Sequence, residues 1–590
     1  MLKIWKVSEK TPKSFLEKNK ELPEIVATLL YHRNILKKDE IESFLNPDYE
    51  KDNQDPFIFS EMKKTCKRIF EAIKKNEKII VHGDYDADGV TSASILVSTL
   101  ENIGAKNIDI YIPHRETEGY GLNKNTIEKL AEEKTNLIIT CDCGVSNFEE
   151  VEFANKKNID VIITDHHEIP EKKPNAYSII HAKLEKKYKS KDIAGCAIAF
   201  KLAQGLLHTH KKEKQKLLSG VSHEYFEKWL LDLVAIGTVA DMVPLTKESR
   251  TLTKFGMLVL NRTKRIGLQK LLLETKLVEQ DGTKKKELST DTIGFQIAPR
   301  LNAAGRMNHA NVAYNLLMAK NGANAIDLAF ELNQNNLERR KITKELVDRV
   351  IEDIEKKQEN NPVIFFTGNK WSTGLVGLIA GKIKEKYYKP TIIMAKNDGE
   401  ITGSGRSIEG FNIIECLQEL PELFSKFGGH PMACGFSLKS PDKLIEFQEK
   451  IIKKFKEKTK DLDLSPVLNI DMEIDINKID FKLFNLLEKF RPFGKENEKP
   501  KFLAKDLEIF SFQTIGKEGN HLKIMTKKDG KIKKFIGWSL CEKKNNTINW
   551  CEKLKKYDKI DVVFEINENI WNGNKEIQFI IVDLKKTNSN

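Results

Sequence analysis

Lys78-Ile-Ile-Val-His82-Gly-Asp84-Tyr-Asp86-Ala-Asp88-Gly89 decides how the rest of the chain is read. Lys78–Val81 is a short β-branched run of the kind buried as a strand, and Val90–Leu96 predicts a helix beginning close behind Gly89. The three carboxylates and the histidine therefore fall where a strand gives way to a helix. Like charges at that spacing repel unless something cationic neutralises them, and a divalent metal does so most simply. Asp84-x-Asp86-x-Asp88-Gly89 also fits the first half of an EF-hand loop. That loop needs a bidentate Glu at its twelfth position, where this chain has Ile95. A solvated acidic turn would leave the strand end and the histidine without a role.

At 590 residues the chain exceeds what one core organises. It divides into a helical lead-in (1–60), a first α/β module (61–320), a connecting helix (321–361), a second α/β module (362–462) and a β-rich segment (463–590). Apolar content of 40% and charged content of 31% describe an ordinary globular protein, and the formal charge of +12 fits a polyanionic partner. No apolar run has the length of a membrane span, and Met-Leu-Lys-Ile-Trp at the start lacks a signal peptide's apolar core, so no membrane partner is expected. Eight scattered cysteines point to a reducing cytoplasm, with Cys141 and Cys143 as core thiols.

From 61 to about 200, short apolar runs alternate with amphipathic helices. This predicts a parallel α/β sheet with strands at Lys78–Val81, Ile108–Ile112, Leu137–Thr140, Val161–Thr164 and Tyr177–Ile180. Polar chemistry follows the first four: His82, then His114-Arg115, Asp142, and Asp165-His166-His167. Ligands of open α/β sheets bind outside the carboxyl ends of the strands, so these segments converge on one crevice. Trp229–Pro244 is an apolar helix or strand that ends in Gly-Thr and then presents a single acid before a Pro-terminated turn, Asp241, either a further ligand or only a cap. Gly294–Arg306, with Arg300 and Arg306 among small residues, reads as a phosphate-contacting loop, the plain alternative being surface arginines on a packed loop.

Residues 324–357 read as one long helix with Ile342, Leu346, Val350 and Ile354 on one side and charge elsewhere, a connecting strut. In the second module Ser404, Arg406 and His430 stand beside glycines that let backbone approach a phosphate closely. From 463 onward, strand-like runs such as Phe535–Trp538, Asp561–Ile566 and Glu576–Val582 predict a small β-barrel, with lysines and aromatics interleaved as in single-strand binders. The tail from Lys585 reads as frayed.

Together His82–Gly89, Ile112–Gly121, Cys141–Gly144, Asp165–His167, Gly237–Asp241, Ala298–Arg306, Arg406-Ser407 and Gly428–His430 resemble the DHH phosphoesterase superfamily, within it the single-strand-specific exonucleases. Pro492–Gly494 and Ile570–Gly573 are similar to that branch's oligonucleotide-binding (OB) barrel. The resemblance implies a DHH parallel-sheet domain, a DHH-associated α/β domain joined to it by a long helix, and a C-terminal OB-type barrel. It implies two Mn²⁺ ions, or Mg²⁺ less well, bridged by Asp142, with His82 and Asp86 on one and Asp88, His166 and Asp241 on the other. Their four carboxylates would balance two divalent charges.

Asp142, His167 and Asp84 form the implied catalytic set, with His167 on the scissile phosphate or leaving group and Asp84, like Asp165, orienting its neighbours. Arg115, Arg300, Arg306, Ser404, Arg406 and His430 are the implied substrate contacts. The implied reaction releases mononucleotides from a 5′ end of single-stranded DNA in repair and recombination, with a helicase and a single-strand-binding protein as partners. Departures occur at Trp371-Ser372, His181-Ala182 and Lys495–Glu498, none at an implied ligand. Rival readings are a phosphodiesterase of small nucleotides, a metal-free scaffold and a plain single-strand binder.

Overall fold

The computed structural model describes residues 3–284, 286–357, 361–542, 548–571 and 574–587. Asn572-Gly573 of the barrel motif and the last three residues of the tail lie outside them. The chain forms two compact units, residues 48–464 and residues 1–47 together with 465–590. The expected lead-in is thus not a separate piece.

The larger unit is built on β1 (Lys78–Gly83), β2 (Ile108–Tyr111), β3 (Thr135–Cys141), β4 (Asp160–Thr164) and β5 (Ser178–Ile180), the five strands expected. All pair in parallel in the order β2-β1-β3-β4-β5. Alternate side chains serve two cores. Ile79, Val81, Leu137 and Ile139 point into one, and Ile80, Ile138, Val161 and Ile163 into the other. That two-sided burial is why these strands read as continuous apolar runs. The order reverses between β1 and β3, and a doubly wound sheet opens a crevice at such a point.

Helices α1 (Ala87–Asn102), α2 (Gly195–Lys212) and α3 (Leu231–Ala240) cover the first face. Helix α1 is buried almost all round although rich in Ser and Thr. Thr91, Ser92, Ser94 and Thr99 donate to carbonyls one turn back, at 2.7–2.8 Å, so none is left unsatisfied.

Gly294–Arg306 is not the loop expected. A π-helical turn, Ile293–Ile297, runs into α4 (Ala298–Met307). Pro299 sits in the first turn, where a missing N–H costs nothing, and Gly305 lets the helix close on Tyr85, whose carbonyl oxygen would stand 2.6 Å from a Cβ. Helix α5 (Gly322–Lys357) then leads to a sheet of β6 (Ile364–Asn369), β7 (Thr391–Asn397), β8 (Glu400–Arg406), β9 (Phe424–His430) and β10 (Ala433–Leu438), ordered β9-β10-β8-β7-β6. Helix α6 (Thr373–Tyr387) packs on β7 and β8.

In the smaller unit, β11 (Phe502–Ile515), β12 (His521–Lys528), β13 (Lys531–Gly537), β14 (Lys559–Trp571) and β15 (Asn574–Lys586) pair 11-12-13-15-14 and close through β14–β11 into a five-stranded barrel. Phe502, Phe535, Phe564 and Phe579 fill it, edge to face or tilted. Helices Glu24–His32 and Lys38–Leu45 lay Val26, Leu29, Leu30, Ile41 and Phe44 on the same core. Cys541 and Cys551 form a disulfide, Cα atoms 5.2 Å apart, where the end of β13 meets the short helix Trp550–Lys553. The scatter of cysteines along the sequence hid that pair. The other six cysteines are buried thiols. No helix among the described residues is long and apolar enough to cross a membrane.

Candidate metal centre

Six element ends meet at the crevice. β1 delivers His82 and Asp84, and Asp86 caps α1, accepting from the amides of Asp88 (2.9 Å) and Gly89 (3.1 Å). Asp88 lies in the first turn of α1, and the N-terminal amides of α2 fix its carboxylate: Gly195 donates to Oδ2 at 2.7 Å and Cys196 to Oδ1 at 2.9 Å. β3 ends at Asp142, held in the left-handed region at φ +62° with its amide on the Thr164 carbonyl. β4 leads into Asp165-His166-His167, and α3 ends at Asp241.

Ligand atoms of Asp88, His166 and Asp241 lie within 4.8 Å of one another, as do those of Asp84, Asp86 and Asp142, and of Asp142, His166 and His167. Nε2 of His166 stands 3.1 Å from Asp142 Oδ1, 3.6 Å from Asp241 Oδ2 and 3.9 Å from Asp88 Oδ2. Neither His166 Nε2 nor Asp142 Oδ1 has a hydrogen-bond partner, and neither do His82 Nε2 and Asp84 Oδ1. Burial, then the neighbouring His167, pushes the His166 imidazole down to about 3, so the ring is neutral and has a lone pair to give. Burial, then Asp86, pushes the Asp88 carboxyl up to about 6, and burial and neighbouring carboxylates raise Asp84 and Asp142 as well. Buried ligand atoms that converge without hydrogen-bond partners, on carboxyls that resist ionising alone, fit divalent cations.

Of the implied ligands, Asp86, Asp88, Asp142, His166 and Asp241 all enter these triplets. His82 enters none. It is stacked on Tyr111 with 5.5 Å between ring centroids, and its buried Nε2 is without a partner. Asp84, expected only to orient its neighbours, takes a place beside Asp86 and Asp142.

His167 Nδ1 lies 2.8 Å from Asp165 Oδ1 and 3.0 Å from the Tyr120 hydroxyl. Asp165 is anchored by the amides of Val145, His166 and His167 at 2.9, 2.7 and 3.1 Å. Burial opposes a charge on His167, but Asp165, then Asp241 and Asp84, outweigh it and push the imidazole up to about 9. Burial likewise opposes the Asp165 carboxylate, yet its bond to His167 takes it down to about 2. Tyr120, which also donates to the Asp142 carbonyl at 2.9 Å, has no signal in the sequence beyond standing in a Gly-Tyr-Gly turn.

Arg115 lies over the Tyr85 ring at 4.7 Å. Arg306 donates to the Gly374 carbonyl at 2.7 Å, and Arg406 to Ser404 Oγ at 2.9 Å, which itself donates to the Cys434 carbonyl. Burial, then Arg115 and Arg339, pulls the Arg306 guanidinium down to about 9. Such a cluster is poised for an anion. Arg300 does not join it: its Nε donates to Asn333 of α5 and its Nη1 to the Gln296 carbonyl. Once this segment is helical, a position six residues before Arg306 looks elsewhere. His430 is exposed at the end of β9, near enough to Glu168 to help Lys183 hold that carboxyl low.

Three family models match: the DHH family N-terminal domain over residues 78–238, the DHHA1 domain over 341–457 and the RecJ OB domain over 470–583. The chain is 35% identical to the single-stranded-DNA-specific exonuclease RecJ of Bacillus subtilis, covering 95% of this chain and 67% of that one. Against RecJ of Haemophilus influenzae it is 30% identical, covering 87% and 88%. The crystal structure of RecJ from Thermus thermophilus with Mn²⁺ superposes with a TM-score of 0.80 at 24% identity, covering 99% of this chain and 80% of that one. A second, exonuclease RecJ bound to manganese, gives 0.56 at 28% identity, covering 68% and 97%. With the three domains in order and curated relatives matched across most of both lengths, the chain belongs to the RecJ family of single-stranded-DNA-specific exonucleases.

Proposed function

We propose that this metal-dependent exonuclease of single-stranded DNA works from the 5′ end and releases mononucleotides. The observation that carries the reading is the convergence of buried, unpartnered ligand atoms beside a cluster of arginines. Asp88, His166 and Asp241 would hold one Mn²⁺ or Mg²⁺, and Asp84, Asp86 and His82 a second, with Asp142 between them. Ions so held would acidify a water and offset charge on a phosphodiester.

The chain's own groups do the rest. His167, kept charged and oriented by Asp165, donates to the scissile phosphate or the leaving oxygen. Arg115, Arg306, Ser404 and Arg406 grip the terminal 5′ phosphate, fixing one end of the strand so that cleavage removes one nucleotide at a time. On the barrel, exposed Phe510, Trp538 and Tyr557, with Lys556 over the Phe510 and Tyr557 rings, are suited to stack on bases. A role in repair and recombination, a cytoplasmic location and a helicase and single-strand-binding protein as partners accompany this reading through family membership.

Oligodeoxynucleotides labelled at one end or the other, digested with Mn²⁺, test it. The 5′ label should appear at once as mononucleotide and the 3′ label last, with blunt duplex resistant. Early release of the 3′ label, or duplex degraded as fast as single strand, would refute it.

A further inference from the structure

Arginine is scarce in this chain, thirteen of 98 basic side chains. Six of the thirteen, Arg115, Arg300, Arg306, Arg339, Arg340 and Arg406, form one mutually repelling series. None of the six makes an ion pair with a carboxylate among the described residues. Arg68 and Arg265, by contrast, sit on Glu77, Asp160 and Asp232. Three of the six belong to the terminal-phosphate grip. Arg339 belongs to α5, which on sequence is only a strut.

Its surroundings are not those of a strut. Arg339 donates through Nη2 to Asn336 Oδ1 at 2.9 Å, while its Nε is buried without a partner. Nδ2 of Asn335 and Oγ1 of Thr343, four residues to either side, are also buried and unpartnered, and Thr343 as a whole is only 3% exposed. Four-residue spacing sets all three on one helix face. Further along that face, Ile342 and Leu346 line a cavity of about 360 Å³ whose wall includes Arg306. A buried donor left without an acceptor is costly, and a charged one more so, which suits this row to a ligand that brings acceptors.

We propose that this face of α5 is a further wall of the substrate site, where Arg339, held by Asn336 and flanked by Asn335 and Thr343, binds the backbone phosphate next to the one Arg306 holds. The donors define the ligand: a planar guanidinium, an amide and a hydroxyl match the oxygens of a phosphodiester. Contact with phosphate rather than base makes the contribution independent of sequence. The inference rests on the reading above that single-stranded DNA occupies this crevice.

Anisotropy of labelled oligothymidylate tests it, titrated across salt concentrations in an Asp142→Asn background that leaves the strand intact. Arg339→Gln should weaken binding about tenfold and flatten the slope of log K against log salt by about 0.7, the increment for one phosphate on a single strand. Arg339→Lys should keep the slope and lose less affinity. Asn335→Ala, which removes a donor but no charge, should weaken binding at unchanged slope and Tm. Oligomers of dA or dC should show the same decrements. Gln and Lys variants that both lower Tm while leaving the slope alone would make Arg339 a brace and overturn the proposal. Failure of the unmodified protein to degrade single strands would instead remove the underlying reading.

Discussion

Asp142 carries two burdens at once. Its left-handed backbone costs a non-glycine residue on the order of 1–3 kcal/mol, and its buried carboxyl faces Asp88, Asp86 and Asp84. Bound cations relieve the second. Asp142→Asn should therefore abolish cleavage while raising the Tm of the metal-free protein, because a neutral amide ends the repulsion. Mn²⁺ should stabilise the unmodified protein by about 2.7 kcal/mol at a hundredfold excess over Kd, and the variant by far less. Calorimetry with and without Mn²⁺ checks both, and an unchanged metal increment would take Asp142 out of the centre. Arg406→Ala should raise KM for 5′-phosphorylated strands at least tenfold, the worth of about 1.5–3 kcal/mol for one charge-assisted bond, and hardly affect unphosphorylated ones. Equal loss on both kinds of end would show that Arg406 does not grip the terminal phosphate. The sequence makes most of these ligands legible, because acids and histidines just past apolar runs have one place to go in a parallel sheet. It does not separate Arg300 from Arg306, since helical phase decides which arginine faces the crevice. It also hides the place of Asp84 beside Asp142, which is set by contact across two strands.

Elements matter here mainly by their ends. Helix α2 contributes no ligand, yet its first two amides orient Asp88, and its first residue must be small: a Cβ on Gly195 would lie 2.6 Å from Asp142 Oδ1. Gly195→Ala should thus leave secondary structure intact and lower metal affinity on the order of 10–100-fold, the usual scale for disturbing groups that position ligands. Circular dichroism with a Mn²⁺ titration separates that from misfolding, and unaltered affinity would mean the carboxylate has room to move. Short β-branched apolar runs make all five strands of the first sheet readable, and a 3.6 period makes the long helix so. Gly294–Arg306 is misread because Gly, Pro and Ala are loop residues by composition, whereas here Pro299 starts a helix and Gly305 lets it pack.

At the scale of the whole molecule, the two ends of the sequence make one body. Ile4–Val7 pairs in parallel with Val467–Ile470, and Arg33 donates to Asn497 Oδ1 at 3.0 Å and to the Glu498 carbonyl at 2.6 Å. Departure from the family pattern at Lys495–Glu498 thus lies where the barrel unit receives its amino-terminal helices. No local pattern announces this, because Val26, Leu29 and Phe44 need an apolar partner without specifying one more than 400 residues away. The consequence is a truncation test in which cutting by sequence order fails and cutting by core succeeds. A 48–464 fragment keeps its cores whole and should fold and cleave single strands in Mn²⁺, with KM raised by loss of the barrel. A 1–464 fragment leaves the amino-terminal helices with their apolar faces in water, and should aggregate or bind hydrophobic dye although it is longer. Residues 465–590 alone should be less stable than the same residues supplemented with a 1–47 peptide, since burying a single Leu or Phe is worth about 1.5–3 kcal/mol and several are lost. Equal Tm for the barrel with and without that peptide would show that the shared core contributes nothing, and the division of the chain would revert to sequence order.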